Sequence, residues 1–145
     1  PISQSITTSS ATVVTFGAEE WDTSGIHSTS SNTSRFTVPT GNAGRWQFSW
    51  RLTFAASATG SRITWLRKNA AGAGSNTDNV IGSAHYQGGS GLGASVGNVT
   101  VIDLAAGDYV EIFALQDSGG TLTIGAATGG STNAEISTME ARFLG

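Results

Sequence analysis

The chain contains no cysteine, so neither a disulfide nor a thiolate metal site holds it, and its stability must come from packing or assembly. Lysine is nearly absent as well, with Lys68 alone, and only 12% of the 145 residues are charged. A formal net charge of -3 supplies no basic patch, which argues against nucleic-acid binding. No apolar run approaches 18 residues, so no membrane insertion is expected. The opening Pro1-Ile2-Ser3-Gln4 has neither the basic nor the apolar stretch of an export signal. Proline occurs twice, and no segment carries the 3.6-residue apolar period of a helix. In place of these the chain has 20 glycines, 19 serines and 19 threonines around short apolar runs, a composition of strands and turns.

The most ordered pattern runs over 44–54, Gly-Arg-Trp-Gln-Phe-Ser-Trp-Arg-Leu-Thr-Phe, where Trp46, Phe48, Trp50, Leu52 and Phe54 alternate with polar residues. Period two predicts a strand with those five side chains in a core and the others facing water. The stretch 107–115 is different, because it is apolar at nearly every position from Tyr109 to Leu115. That predicts a strand covered on both faces, with a second copy of the chain as the outer cover. The length suits one domain that buries roughly 68–70% of its unfolded surface.

Along the chain, residues 1–12 are polar and aperiodic and read as an N-terminal arm, with one domain over 13–145. Strands are expected at 13–16, 35–38, 46–54, 62–68, 98–104, 109–116, 121–124 and 137–143, with a short one near 80–86. Residues 105–108 and 117–120 carry tight-turn chemistry, with glycine available for positive φ. Eight to ten short strands separated by such turns predict an all-β sandwich or jelly roll.

Several phrases together resemble the globular heads of complement component 1q and their tumour-necrosis-factor relatives. They are Arg35-Phe36-Thr37-Val38-Pro39, Gly44 with the aromatic strand behind it, Lys68-Asn69, Leu104-x-x-Gly107-Asp108-Tyr109-Val110, and Ala141-Arg142-Phe143-Leu144, in the family's order. The resemblance implies an antiparallel ten-strand jelly-roll sandwich that is trimeric. Further phrases, Asp22-Thr23-Ser24-Gly25-Ile26-His27-Ser28, Asn32-Thr33-Ser34-Arg35 and Gln116-Asp117-Ser118-Gly119-Gly120, resemble the short jelly rolls of tailed-bacteriophage and prophage virion proteins. Arg45 displaces the aromatic residue that the family carries directly after the glycine of the long strand, and Trp46 follows it.

Motifs with catalytic overtones read blandly. Gly93-Ala94-Ser95-Val96-Gly97 matches G-x-S-x-G, but a nucleophile elbow lies between a strand and a helix, and here a glycine loop precedes and a strand follows. Gly89-Ser90-Gly91-Leu92-Gly93-Ala94 lacks the βαβ setting of a dinucleotide fingerprint. His27 and His85 sit in polar segments without ligand-pair spacing and read as solvated loop histidines. The adjacent carboxylates Glu19 and Glu20 would point to opposite sides of a strand. No catalysis, metal or cofactor is expected.

The resulting expectation is a non-enzymatic homotrimer on the virion surface, made in the host cytoplasm, that decorates the phage head as a minor capsid protein bound to the major capsid protein. Tyr109, Glu111, Phe113 and Leu115, with Trp65, are the expected trimer interface, and Glu111 is expected to meet a neighbour's Arg51 or Arg142. Ile2 and Ile6 in the arm are the expected capsid anchor. The alternative is a receptor- or glycan-binding tip domain of a tail fibre, with Trp21, Tyr86 and the 69–97 segment as the surface that meets host glycan.

Overall fold

The alternation at 44–54 forms the centre of the fold. In the computed structural model, which describes residues 3–70, 79–88, 93–125 and 137–145, it is one long strand, β4 (Gly44–Phe54). Before it come β1 (Gln4–Ile6), β2 (Thr12–Val13) and β3 (Arg35–Thr37), and after it β5 (Ser61–Lys68), β6 (Val80–Gln87) and β7 (Ala94–Leu104). The chain continues through β8 (Tyr109–Gln116), β9 (Leu122–Ile124) and β10 (Thr138–Phe143). No helix occurs among the described residues.

Two antiparallel sheets result. In the first, β7 runs beside the whole of β4, from Gly44 opposite Leu104 to Phe54 opposite Ala94. β10 and β9 lie along the other side of β4, and β1 pairs with β9. In the second sheet β8 is central, with β5 and then β6 on one side and β2 and β3 on the other. Trp46, Phe48, Trp50, Leu52 and Phe54 all turn inward and are buried against Val110, Ile112, Ala114 and Leu66 of the second sheet. Each large apolar side chain so buried contributes roughly 1.5–3 kcal/mol, which makes this row the main source of stability. Trp50 also joins the sheets chemically, because its Nε1 donates to Thr64 Oγ1 at 2.9 Å inside the core.

The sandwich closes along the β6–β7 side through side chains. Asn98 Nδ2 donates to the Ser83 carbonyl at 2.7 Å, and Thr100 Oγ1 to the Ile81 carbonyl at 3.1 Å. Those β6 carbonyls are therefore not left open to a foreign strand, a common defence of sheet edges.

The N-terminal segment departs from its expected role as a free arm. Gln4, Ser5 and Ile6 pair with Ile124, Thr123 and Leu122, and Ile6 is fully buried. The Gln4 side chain donates to the Val13 carbonyl and accepts from the Thr15 N–H, and Gln116 Nε2 donates to the Ile6 carbonyl at 2.9 Å. A short strand with one apolar residue shows no period of its own, but here it has a partner edge and a core site. Ile6 is core and cannot anchor the chain elsewhere; Ile2 lies outside the described residues. Ile6→Ala is expected to lower stability by about 2–4 kcal/mol, read as a shifted denaturant midpoint at unchanged slope.

Polar contacts pin the turn between β7 and β8. The Asp108 carboxylate accepts from Lys68 Nζ at 2.7 Å, Asn69 Nδ2 at 2.7 Å and the Ala105 N–H at 2.8 Å. Lys68 first, then Asn69 and the Ala105 amide, hold its carboxyl down at about 2. A carboxyl depressed on folding stabilises fully above its unfolded value, near 3.8, and the contribution is lost as pH falls toward 2. At a surface turn, where water screens the charges, this contribution is about 1–2 kcal/mol. Asp108→Asn is expected to lose that at pH 7 and to converge with the parent near pH 2, in denaturant titrations run at both.

Candidate functional site

Three surfaces bear on function, and the first is the outer face of β8. Tyr109, Glu111, Phe113 and Leu115 do share that face, and Trp65 stands directly opposite Phe113. The strand is covered twice, as its composition predicts, but the chain itself covers Phe113 and Glu111. Phe113 is 2% exposed and Glu111 5%. The Arg67 guanidinium lies 4.3 Å from the Phe113 ring centre and 5.5 Å from that of Trp65. Arg35 Nε donates to Glu111 Oε1 at 3.4 Å, and Ser34 Oγ donates to the same oxygen at 2.7 Å. Glu111 thus meets Arg35 of its own chain, in place of the Arg51 or Arg142 of a neighbour. Tyr109, Leu115 and Trp65 remain half-buried on this face.

The second surface is the outer face of the β4 sheet. There Val99 is 56% and Val101 52% exposed, side by side along β7. They stand in register with Ser49 and Glu140, and with Gln47 and Arg142, across the three strands. An Arg45–Asp103 ion pair at 3.0 Å borders the row. Val99 and Val101 carried their own signal, since they fall on one side of a strand whose other side holds Val96 and Ile102.

The third surface is the corner formed by the 17–34 segment. His27, expected to be solvated, is wedged between Phe16 and Phe36; its ring stacks on Phe36 at 4.7 Å and meets Phe16 edge-on. Its Nδ1 lies 3.2 Å from Glu19 Oε2 and its Nε2 3.1 Å from the Thr33 carbonyl oxygen. The aromatic neighbours come from separate segments, which is why the polar sequence around His27 hides its burial. Burial pushes the Asp22 carboxyl up, but the backbone amides of His27, Ile26, Ser24 and Gly25 outweigh it and hold it below the usual range. Trp21, next to Asp22, stands out into solvent.

Tyr86 is also exposed, but it pairs with Arg62, and Arg62 lies opposite Gln116 at the far end of β8. The His27 segment bridges to Phe36, which is opposite Val110. Six residues of strand, roughly 20 Å, separate those positions on β8, so the two aromatics do not form one site. Much of the 69–97 segment lies outside the described residues.

Among the described residues no catalytic geometry gathers around the suggestive motifs. Ser95 is on β7, with its Oγ 2.9 Å from Thr53 Oγ1, and not at a strand-to-helix turn. Residues 89–92 of the other glycine motif lie outside the described residues. His85 is exposed on β6 opposite Ile63. No cluster of metal-ligating side chains occurs among the described residues.

Similarity to solved structures agrees with this architecture. The globular domain of a zebrafish complement 1qA protein superposes with a TM-score of 0.58 at 14% identity, over 98% of this chain and 96% of that one. Murine APRIL, of the tumour-necrosis-factor family, superposes with a TM-score of 0.54 at 12% identity, over 84% of this chain and 95% of that one. No family model and no curated protein sequence matches the chain. Such low identities establish the fold alone: an all-β, two-sheet jelly-roll sandwich of the complement-1q and tumour-necrosis-factor kind.

Proposed function

We propose that this chain is a non-enzymatic structural protein of a tailed-bacteriophage particle, acting as a homotrimer that decorates the head over the major capsid protein. Self-association rests on one observation, the exposed Val99–Val101 pair on the outer face of the β4 sheet, flanked by charged residues of both signs. Three-fold symmetry is what the sequence resemblance implies. The virion setting draws on the phage-like phrases at 22–28, 32–35 and 116–120. With Ile6 in the core, attachment to the shell is left to Ile2 and to exposed loop side chains such as Trp21. Gold-labelled antibody against this chain, imaged on native particles, is expected to mark the head; label at the tail tip or none would overturn the decoration role.

The second reading, a glycan-binding tip domain, is favoured by a polar cleft of about 180 Å³ beside Arg35, lined by Ser28, Ser31, Asn32 and Thr37. In that reading label appears at the tip.

A further inference from the structure

Arg35 is fixed in two ways and still has hydrogen-bonding capacity to spare. Its guanidinium lies 4.2 Å from the Tyr109 ring centre, and its Nε is spent on Glu111. Glu111 is buried and also bound by Ser34, so it cannot swing round to the far edge of the guanidinium. Neither Nη group has a hydrogen bond within the described residues, and the side chain is 35% exposed. A planar donor fork held this way is preorganised for a carboxylate, which it can bind through two parallel N–H bonds.

The rest of the cleft is suited to hydroxyl groups. β3 places Arg35 and Thr37 on one wall, on the same face of the strand. The 25–32 segment supplies Ser31 and Asn32 on the other, where the Ser28 hydroxyl accepts from the Ser30 and Ser31 amides and so holds the loop, and the Thr37 N–H to Ile26 carbonyl bond at 2.6 Å ties the walls together. The His27 ring adds no free nitrogen, because Glu19 and the Thr33 carbonyl take both. The nearby acids are engaged too, Glu19 by His27 and Asp22 by loop amides.

We propose that this cleft binds one acidic sugar unit, its carboxylate on the Nη groups of Arg35 and its hydroxyls on Ser31, Asn32 and Thr37. The assignment rests on the glycan-binding reading and gives it a ligand class. The test is titration of glucuronate into the ¹⁵N-labelled full chain, with glucose and acetate as controls. Glucuronate is expected to shift the amides of Ser28, Ser31, Asn32 and Thr37 saturably, with weaker binding as salt rises. Arg35→Gln should weaken it at least about tenfold. Ser31→Trp, which fills the cleft from an exposed position and leaves Arg35 and Glu111 in the chain, should abolish it. The proposal is overturned if glucose or acetate shifts the same amides equally, if Arg35→Gln retains the affinity, or if glucuronate has no effect. Retained adhesion of Ser31→Trp to immobilised host polysaccharide would sink the cleft and leave the glycan-binding reading standing; lost adhesion by the parent protein would sink both.

Discussion

Gly97→Ala is expected to cost about 4–5 kcal/mol, at the extreme of what single substitutions do, and to leave little folded protein. Gly97 pairs with Arg51 on β4, and a Cβ added there would sit 1.9 Å from the Trp50 carbonyl oxygen and 2.9 Å from the Arg51 Cα. Both are backbone atoms of the central strand, so no rotamer change relieves the overlap. β7 would have to move away from β4, pulling Val96 out of the core and loosening the Trp50 region, where the Trp50–Thr64 bond spans the sheets. Domains of this size tolerate little such loss, because their net stability is only about 5–15 kcal/mol. The measurement is the denaturant midpoint of Gly97→Ala beside that of Gly119→Ala. Gly119 is in the 117–120 turn, where an added Cβ meets nothing within 4 Å and only its φ of +89° resists. That strain is expected to cost about 1–2 kcal/mol. Equal effects at the two positions would show that β7 does not approach β4 as described.

Gly97 also shows how the sequence signals distribute. As part of G-x-S-x-G it had chemical overtones, yet its role is to let two strands touch. The phrases that carry the complement-1q resemblance are scattered in sequence but converge in two places. Val38 exchanges backbone bonds with Gly107 and Asp108, while Asn69 accepts from the Tyr109 N–H and donates to Asp108. At the other place the Arg45 N–H donates to the Gly145 carbonyl and the Leu144 N–H to that of Arg45. Gly44, at a φ of +148°, leaves no room there for a Cβ beside Gly145 and Phe143. These positions are legible because a bend or a close approach admits few residue types. The alternation of β4 is legible because burial has a period.

Other features depend on partners that the local sequence does not name. The β1 strand takes its meaning from β9, His27 from Phe16 and Phe36, and the cover on Phe113 from Arg67. An arginine reads as solvent-facing by composition, but its planar head can lie flat on an aromatic ring and close an apolar surface. That is why the two-sided burial of β8 could be read correctly while its outer cover was assigned to another copy. The polar cleft at Arg35 was missed for the same reason, since its walls come from β3 and a serine-rich loop whose folding over β3 has no local pattern.

In the proposed homotrimer, the double substitution Val99→Asp, Val101→Asp is expected to leave only monomer. Both side chains are more than half exposed in the single chain, so the fold itself should lose only about 1 kcal/mol through lower strand preference. Burying the remaining half of each valine against a neighbouring copy is worth roughly 1 kcal/mol, and every copy contributes both. The carboxylate at 99 would also stand in line with Glu140, across Ser49, while that at 101 would stand in line with Arg142, across Gln47, so the added repulsion comes from position 99 and would be repeated wherever copies meet. Sedimentation velocity reads the outcome, with near-ultraviolet circular dichroism of the tryptophans as the check that the core persists. Leu115→Asp is the matched substitution on the β8 face, where Tyr109, Leu115 and Trp65 keep partial exposure. If the β4 face joins the copies, Leu115→Asp remains assembled while the valine variant does not. The reverse pattern would return the interface to β8, and a parent chain that sediments as monomer would remove the trimer altogether. The β4 face is favoured on energetic grounds. On β8 Phe113 is already closed off by Arg67 within its own chain, and Tyr109, Leu115 and Trp65 are half-buried, whereas Val99 and Val101 are more than half exposed.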